Sequence, residues 1–202
     1  MKRLFKGVFL VLLSLAITSC GEKEEYIPYE VKTSYTESTK ETNYVLLEME
    51  TGDQMLIELY PDIAPITVTN FKKLIGEKFY DNMKFHRIVK DFVIQAGQHE
   101  KLQAENIKGE FDKNDVSNTL KHERGVLSMA RTQYDYDSAS SQFFIVHKDS
   151  PSLNGGYAAF GKVIDGLDTV DRIAEVEVSG ETPTNPPVIK YMKFVSLEKE
   201  AE

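Results

Sequence analysis

The chain has 202 residues, a formal net charge of -8, a single cysteine and no tryptophan. An acidic balance argues against a nucleic-acid partner, since neutralising phosphates needs a basic face, and against attachment to anionic lipid through basic residues. One cysteine can form no internal disulfide, so the fold does without one in any redox compartment.

Lys2, Arg3 and Lys6 precede an almost wholly apolar run over 8–17. That run is short of the ~20 residues needed to span a bilayer, and a basic start with a short apolar core reads as a secretory signal over 1–19. Cys20 follows at once, in Ile-Thr-Ser-Cys-Gly. This resembles a bacterial lipoprotein processing site, with Cys20 as the lipidated first residue of the mature chain. Losing 1–19 removes Lys2, Arg3 and Lys6 and no acid, taking the net charge from -8 to -8 - 3 = -11. Residues 20–41 are polar, rich in glutamate and without periodicity, which predicts a flexible acidic tether with a reach of roughly 25 Å. Its cluster Glu22-Lys23-Glu24-Glu25 also resembles the surface-export signal of some bacterial lipoproteins, so the expected location is the bacterial cell envelope, lipid-anchored, on the periplasmic face or the cell surface.

Residues 42–202 suffice for one domain with a sizeable core. Strand-like runs at 44–49 and 54–60 flank Thr51-Gly52-Asp53, which predicts a hairpin. Pro65 suits a first helical turn. Val68, Phe71, Leu74 and Ile75 then follow at helical spacing up to Gly76, a short amphipathic helix over 66–75. The window 84–98 is dense in β-branched and aromatic residues, which suits two short strands with a kink near Lys90-Asp91. Arg87 and Gln95 stand as polar insertions in it. Residues 98–118 read as a long polar surface loop. Strands are expected at 125–129, 142–146, 158–163 and 188–197, with a second helix over 166–174 marked by Leu167, Val170 and Ile173. Many short strands with two brief helices argue for a mainly β closed architecture.

Five strings carry a resemblance to a known family: Phe-His-Arg-Ile at 85–88, Phe-Val-Ile-Gln-Ala-Gly at 92–97, Gly-Val-Leu-Ser-Met-Ala at 125–130, Ser-Gln-Phe-Phe-Ile at 141–145 and Phe-Gly-Lys-Val at 160–163. In this order and spacing they resemble the cyclophilin-type peptidyl-prolyl cis-trans isomerases, over about residues 43–198. The resemblance implies a closed eight-stranded antiparallel barrel with a helix capping each end, a packed interior and an active site on an outer face. It implies no cofactor and no metal, proline-containing polypeptide segments as substrates, and a monomer.

Carried over residue by residue, the resemblance makes Arg87 the catalytic donor to the prolyl nitrogen, with Gln95 and Gln142 orienting it and the substrate backbone. Phe92, Val93, Phe144 and Leu153 match the pocket wall, and Tyr157 stands where many members have His. Ala130 and Arg131 match the segment whose backbone pairs with the substrate, Arg131 replacing an Asn common in eukaryotic members. Val93 is more often Met in the family. Ser152 stands where cyclosporin-sensitive members carry Trp, so weak cyclosporin binding is expected. The loop after Gln98 lacks the family's usual glycines, which bears on selectivity. Phe143 is expected to face inward and Phe144 outward, as strand neighbours do, with Phe85, Leu127 and Phe160 in the core.

Rival chemistries fit less well. None of His86, His99, His122 and His147 is paired at i, i+4 and there is no cysteine cluster, so a metal site is not expected. Ser128 and Ser141 lack a Gly-x-Ser-x-Gly turn, and the segment 135–137 lacks the later Gly and Glu of an EF-hand. The remaining alternative is a non-catalytic module on the same fold: a proline-peptide-binding chaperone, or a surface-contact protein.

Overall fold

The computed structural model describes residues 26–99, 102 and 104–198. The expected signal segment and Cys20 lie outside the described residues. Among the described residues there are twelve strands: β1 (Tyr35–Glu37), β2 (Tyr44–Met49), β3 (Gln54–Leu59), β4 (Met83–Lys84), β5 (Arg87–Val89), β6 (Val93–Ala96), β7 (Val126–Met129), β8 (Phe143–Val146), β9 (Ala159–Asp165), β10 (Val178–Ser179), β11 (Thr182–Pro183) and β12 (Val188–Leu197). The helices are α1 (Pro65–Gly76) and α2 (Leu167–Ala174).

The main sheet is antiparallel throughout, in the order β1-β12-β2-β3-β9-β7-β8-β6-β5, with β4 also on β12. The expected closed barrel is therefore corrected to an open sheet. The chain itself spans the gap: β4 pairs with β12, and three residues after Lys84 the chain enters β5 at the other end of the strand order. Here Phe85 N–H bonds the Pro187 carbonyl at 2.9 Å, and Ile88 N–H on β5 bonds the Glu181 carbonyl at 2.8 Å.

Strand alternation sorts the side chains into two layers. Ile88, Ile94, Ala96, Leu127, Met129, Phe143, Ile145 and Phe160 face the main core. Val93, Val126, Phe144, Val146 and Ala159 form a second apolar layer, covered by Phe92, Leu120, Ala130, Leu153 and Tyr157. Phe143 and Phe144 thus diverge as expected. Both helices bury their apolar faces in the main core: Val68, Phe71, Leu74 and Ile75 from α1, and Val170, Ile173 and Ala174 from α2. Phe71 anchors α1, with ring centroids 4.9 to 5.4 Å from Phe160, Tyr80 and Phe143.

Three segments differ from the sequence expectation. The stretch read as a tether is held to the domain from Tyr26 onward. Asp53 accepts from Tyr29 N–H at 2.8 Å, Asp165 accepts from Lys32 and Thr33 N–H at 2.7 and 2.8 Å, and β1 pairs with β12. Backbone N–H groups of this stretch make these bonds, while most of its residues stay exposed. The loop after Gln98 is likewise not all surface. Glu110, Phe111 and Asn118 are buried, and Ile107 N–H bonds the Ala139 carbonyl at 2.8 Å. The third is an unforeseen hairpin, β10–β11, turning at Gly180 with φ +67°.

Candidate active site

Arg87, Gln95 and Phe144 lie side by side because three strands pair in register: Arg87 opposite Gln95, and Gln95 opposite Phe144. Val93, two residues before Gln95, shares its face. The turn into β6 brings Phe92, the end of β7 brings Ala130 and Arg131, and the 3-10 turn Pro151–Leu153 with the following loop brings Leu153 and Tyr157. Together these nine line a pocket of about 250 Å³. A smaller one of about 160 Å³ adjoins it, sharing Gln95, Ala130 and Arg131 and adding Thr132, Ser138, Ser140 and Gln142. All ten residues singled out in the folded domain thus converge on one groove.

The polar edge of the groove is a relay. Arg87 Nη1 donates to Gln95 Oε1 at 3.3 Å, and Gln95 Nε2 donates to Gln142 Oε1 at 3.0 Å. Gln142 is tied in turn through its carbonyl, which accepts from Ala130 N–H at 2.9 Å. The remaining edge of the guanidinium meets Glu181, with Nε donating to Oε2 at 2.6 Å and Nη2 to Oε1 at 3.3 Å. Glu181 sits at the tip of the β10–β11 hairpin, 94 residues from Arg87, a separation that no local pattern reveals. The pairing holds the Glu181 carboxyl below its usual range, chiefly through the Arg87 hydrogen bond.

The apolar wall is braced from behind. Phe144 and Tyr157 meet edge to face, centroids 5.7 Å apart, and His122 stacks behind Phe144 at 5.9 Å. His122 is buried, and burial pulls its pKa below the ordinary value. Its Nδ1 faces the Asn154 amide oxygen at 3.0 Å, an atom that only accepts, so this nitrogen carries the proton and Nε2 accepts from the Ser128 hydroxyl at 3.0 Å. The order Ser128, His122, Asn154 looks like a nucleophilic relay. Ser128 is wholly buried, however, with no access for a substrate, so the trio is a brace.

Beyond the backbone role expected of it, Arg131 has a side-chain role in the fold. Its guanidinium stacks on Phe111, Tyr136 and Tyr157 at 5.2, 4.8 and 4.8 Å and donates from Nε to the Gly156 carbonyl at 2.9 Å. It ties three loops around the groove. Sequence reasoning missed Glu181, His122 and Phe111 as parts of the site. The Ser-Gly pair at 179–180 is a turn signal that could have found the hairpin, though not its partner.

A family model described as cyclophilin type peptidyl-prolyl cis-trans isomerase/CLD matches residues 44–194. A peptidyl-prolyl cis-trans isomerase of Acinetobacter baylyi is 44% identical over 140 residues, covering 66% of this chain and 74% of that protein. Peptidyl-prolyl cis-trans isomerase B of Bacillus subtilis is 42% identical over 144 residues, covering 69% of this chain and 95% of that protein. Among solved structures, a Cryptosporidium parvum cyclophilin type peptidyl-prolyl cis-trans isomerase in the presence of the dipeptide Ala-Pro is similar with a TM-score of 0.68 at 30% identity, over 76% of this chain and 99% of that one.

Proposed function

Since the chain belongs to the cyclophilin-type peptidyl-prolyl cis-trans isomerases, we propose that Arg87 and the pocket beside it carry the isomerase reaction. Rotation about a peptide bond faces a barrier of about 18–20 kcal/mol. A barrier of 20 kcal/mol gives a rate on the order of 0.01 per second, so about 1000 per second requires lowering it by roughly 7 kcal/mol. No bond breaks, so neither a nucleophile nor a metal is required.

Two devices are enough. The apolar floor of Phe92, Val93, Phe144, Leu153 and Tyr157 takes the proline ring out of water. The guanidinium then donates toward the prolyl nitrogen, whose lone pair leaves conjugation only in the twisted state. A donor satisfied only there stabilises the transition state over the ground state. Arg suits the task because it cannot lose its charge and its planar fork serves two acceptors at once. The observation that carries this reading is the placement of Arg87 on the rim of an apolar pocket, held by Gln95.

The test is a prolyl isomerisation assay on the chain from Gly21, wild type beside Arg87→Ala. The expected loss is about 100-fold, or about 2.7 kcal/mol of transition-state stabilisation. Equal, negligible rates in both proteins, with proline peptides still bound, would leave a binding module in place of an enzyme. We further infer that the enzyme acts on exported or envelope proteins from a lipid anchor at Cys20. The basic start, the short apolar run and the position of Cys20 support this. Palmitate labelling that survives Cys20→Ser would refute it.

A further inference from the structure

Residues 178–183 form a two-residue hairpin, with Ser179 opposite Thr182 and Gly180 and Glu181 at the turn. Gly180 takes φ +67°, a conformation glycine adopts without cost. The hairpin lies against β5, the end strand of the main sheet, and the Glu181 carbonyl accepts from Ile88 N–H at 2.8 Å. That bond sets where the Glu181 side chain falls. Its carboxylate takes the Nε–Nη2 edge of Arg87 in a bidentate pair. The Nη1 end is left to Gln95 and the pocket.

The pair is not a stability device. The Arg87 and Glu181 side chains are 33% and 56% exposed, and pairs this open contribute little to folding. The geometry has another consequence. An arginine side chain has many rotamers to lose, and a donor that must meet a twisted prolyl nitrogen works best when already aimed. One bond from Gln95 leaves the guanidinium free to rotate about that contact. A bidentate carboxylate on the opposite edge fixes its plane. We propose that Glu181 is a positioning residue for isomerisation, clamping the far edge of Arg87 so that its Nη end is aimed into the pocket. This rests on Arg87 being the donor.

The test is a two-by-two cycle of wild type, Glu181→Gln, Arg87→Ala and the double variant, with kcat and KM measured separately. Glu181→Gln is expected to lower kcat about tenfold and to change KM less than about twofold, with Glu181→Asp recovering part of the loss. In the Arg87→Ala background Glu181→Gln should have no further effect, because its action runs through Arg87. The Arg87 Nε–H resonance in a nitrogen-15 spectrum should be sharp in the wild type and broadened in Glu181→Gln. Circular dichroism and an unchanged unfolding midpoint confirm that the variants are folded, and Glu181→Asp serves if the Gln variant is not. An unchanged or faster kcat in Glu181→Gln overturns the proposal while the role of Arg87 stands. An equal loss in the Arg87→Ala background also overturns it, placing the effect in the hairpin rather than in the guanidinium. Wild-type activity in Arg87→Ala removes the donor and the clamp together.

Discussion

Helix α1 begins with a deficit. Its cap position is Ala64, which has no side-chain acceptor, yet the first N–H groups of any helix need partners. Glu110 supplies them from 44 residues away. It is buried, and its carboxylate accepts from Ile66 N–H at 3.0 Å, Thr67 N–H at 2.8 Å and the Thr67 hydroxyl at 2.7 Å. Negative charge at a helix N-terminus also meets the favourable end of the helix dipole.

Glu110→Ala would remove all three bonds. Ile66 is exposed and its N–H can turn to water, whereas Thr67 is wholly buried and has no such recourse. Hydrogen bonds to charged groups contribute about 1.5–3 kcal/mol each, and a buried donor left unmade costs about 1–3 kcal/mol. Set against the relief of no longer burying a carboxylate, a net loss of about 3 kcal/mol is expected. At about 2–4 °C per kcal/mol for a domain of this size, the midpoint should fall about 6–12 °C. Thermal unfolding followed by circular dichroism measures this directly. Thr67→Ala should cost less, since it keeps the backbone bond. A fall of less than about 2 °C in Glu110→Ala would refute the account, because a merely solvated acid would behave that way.

Acid should destabilise the domain in two stages. Burial holds His86 and His122 below their usual pKa, so below about pH 6.5 the unfolded chain binds more protons than the folded one and stability falls as pH falls. The Arg124 hydrogen bond, followed by its charge, lowers the Asp171 pKa despite burial, so its contribution persists above the unfolded value of about 3.9 and is lost only as pH drops through the lower folded value. Melts at pH 7, 5.5, 4 and about 2.5 would show both limbs, and a flat profile between 7 and 5.5 would contradict the histidine part. Cyclosporin should bind weakly, because Ser152 is exposed beside the pocket and cannot supply the indole of sensitive relatives. An inhibition constant in the nanomolar range would count against this.

The strands and helices were legible because their signals are local. Alternation separates Phe143 from Phe144, and the spacing of Val68, Phe71, Leu74 and Ile75 marks α1. Phe85 to Ile88, Phe92 to Gly97, Gly125 to Ala130 and Ser141 to Ile145 carry the family pattern that pointed to Arg87, Gln95, Gln142 and much of the pocket wall before any coordinates. Read through its family resemblance, the sequence therefore carried a mainly β fold with two helices and the reaction, and it named ten residues that the structure gathers in one groove, while the closed barrel it implied is an open sheet. Tertiary structure alone decided what holds them. Glu181 reaches Arg87 across 94 residues, Glu110 caps a helix 44 residues upstream, and Arg131 turns its side chain onto three rings. The polar stretch 26–41 docks because Asp53 and Asp165 await it elsewhere in the chain. In each case a charged residue reads locally as solvated surface. Its partner is brought near only when the core closes, and then the exchange of water for a fixed partner sets its role.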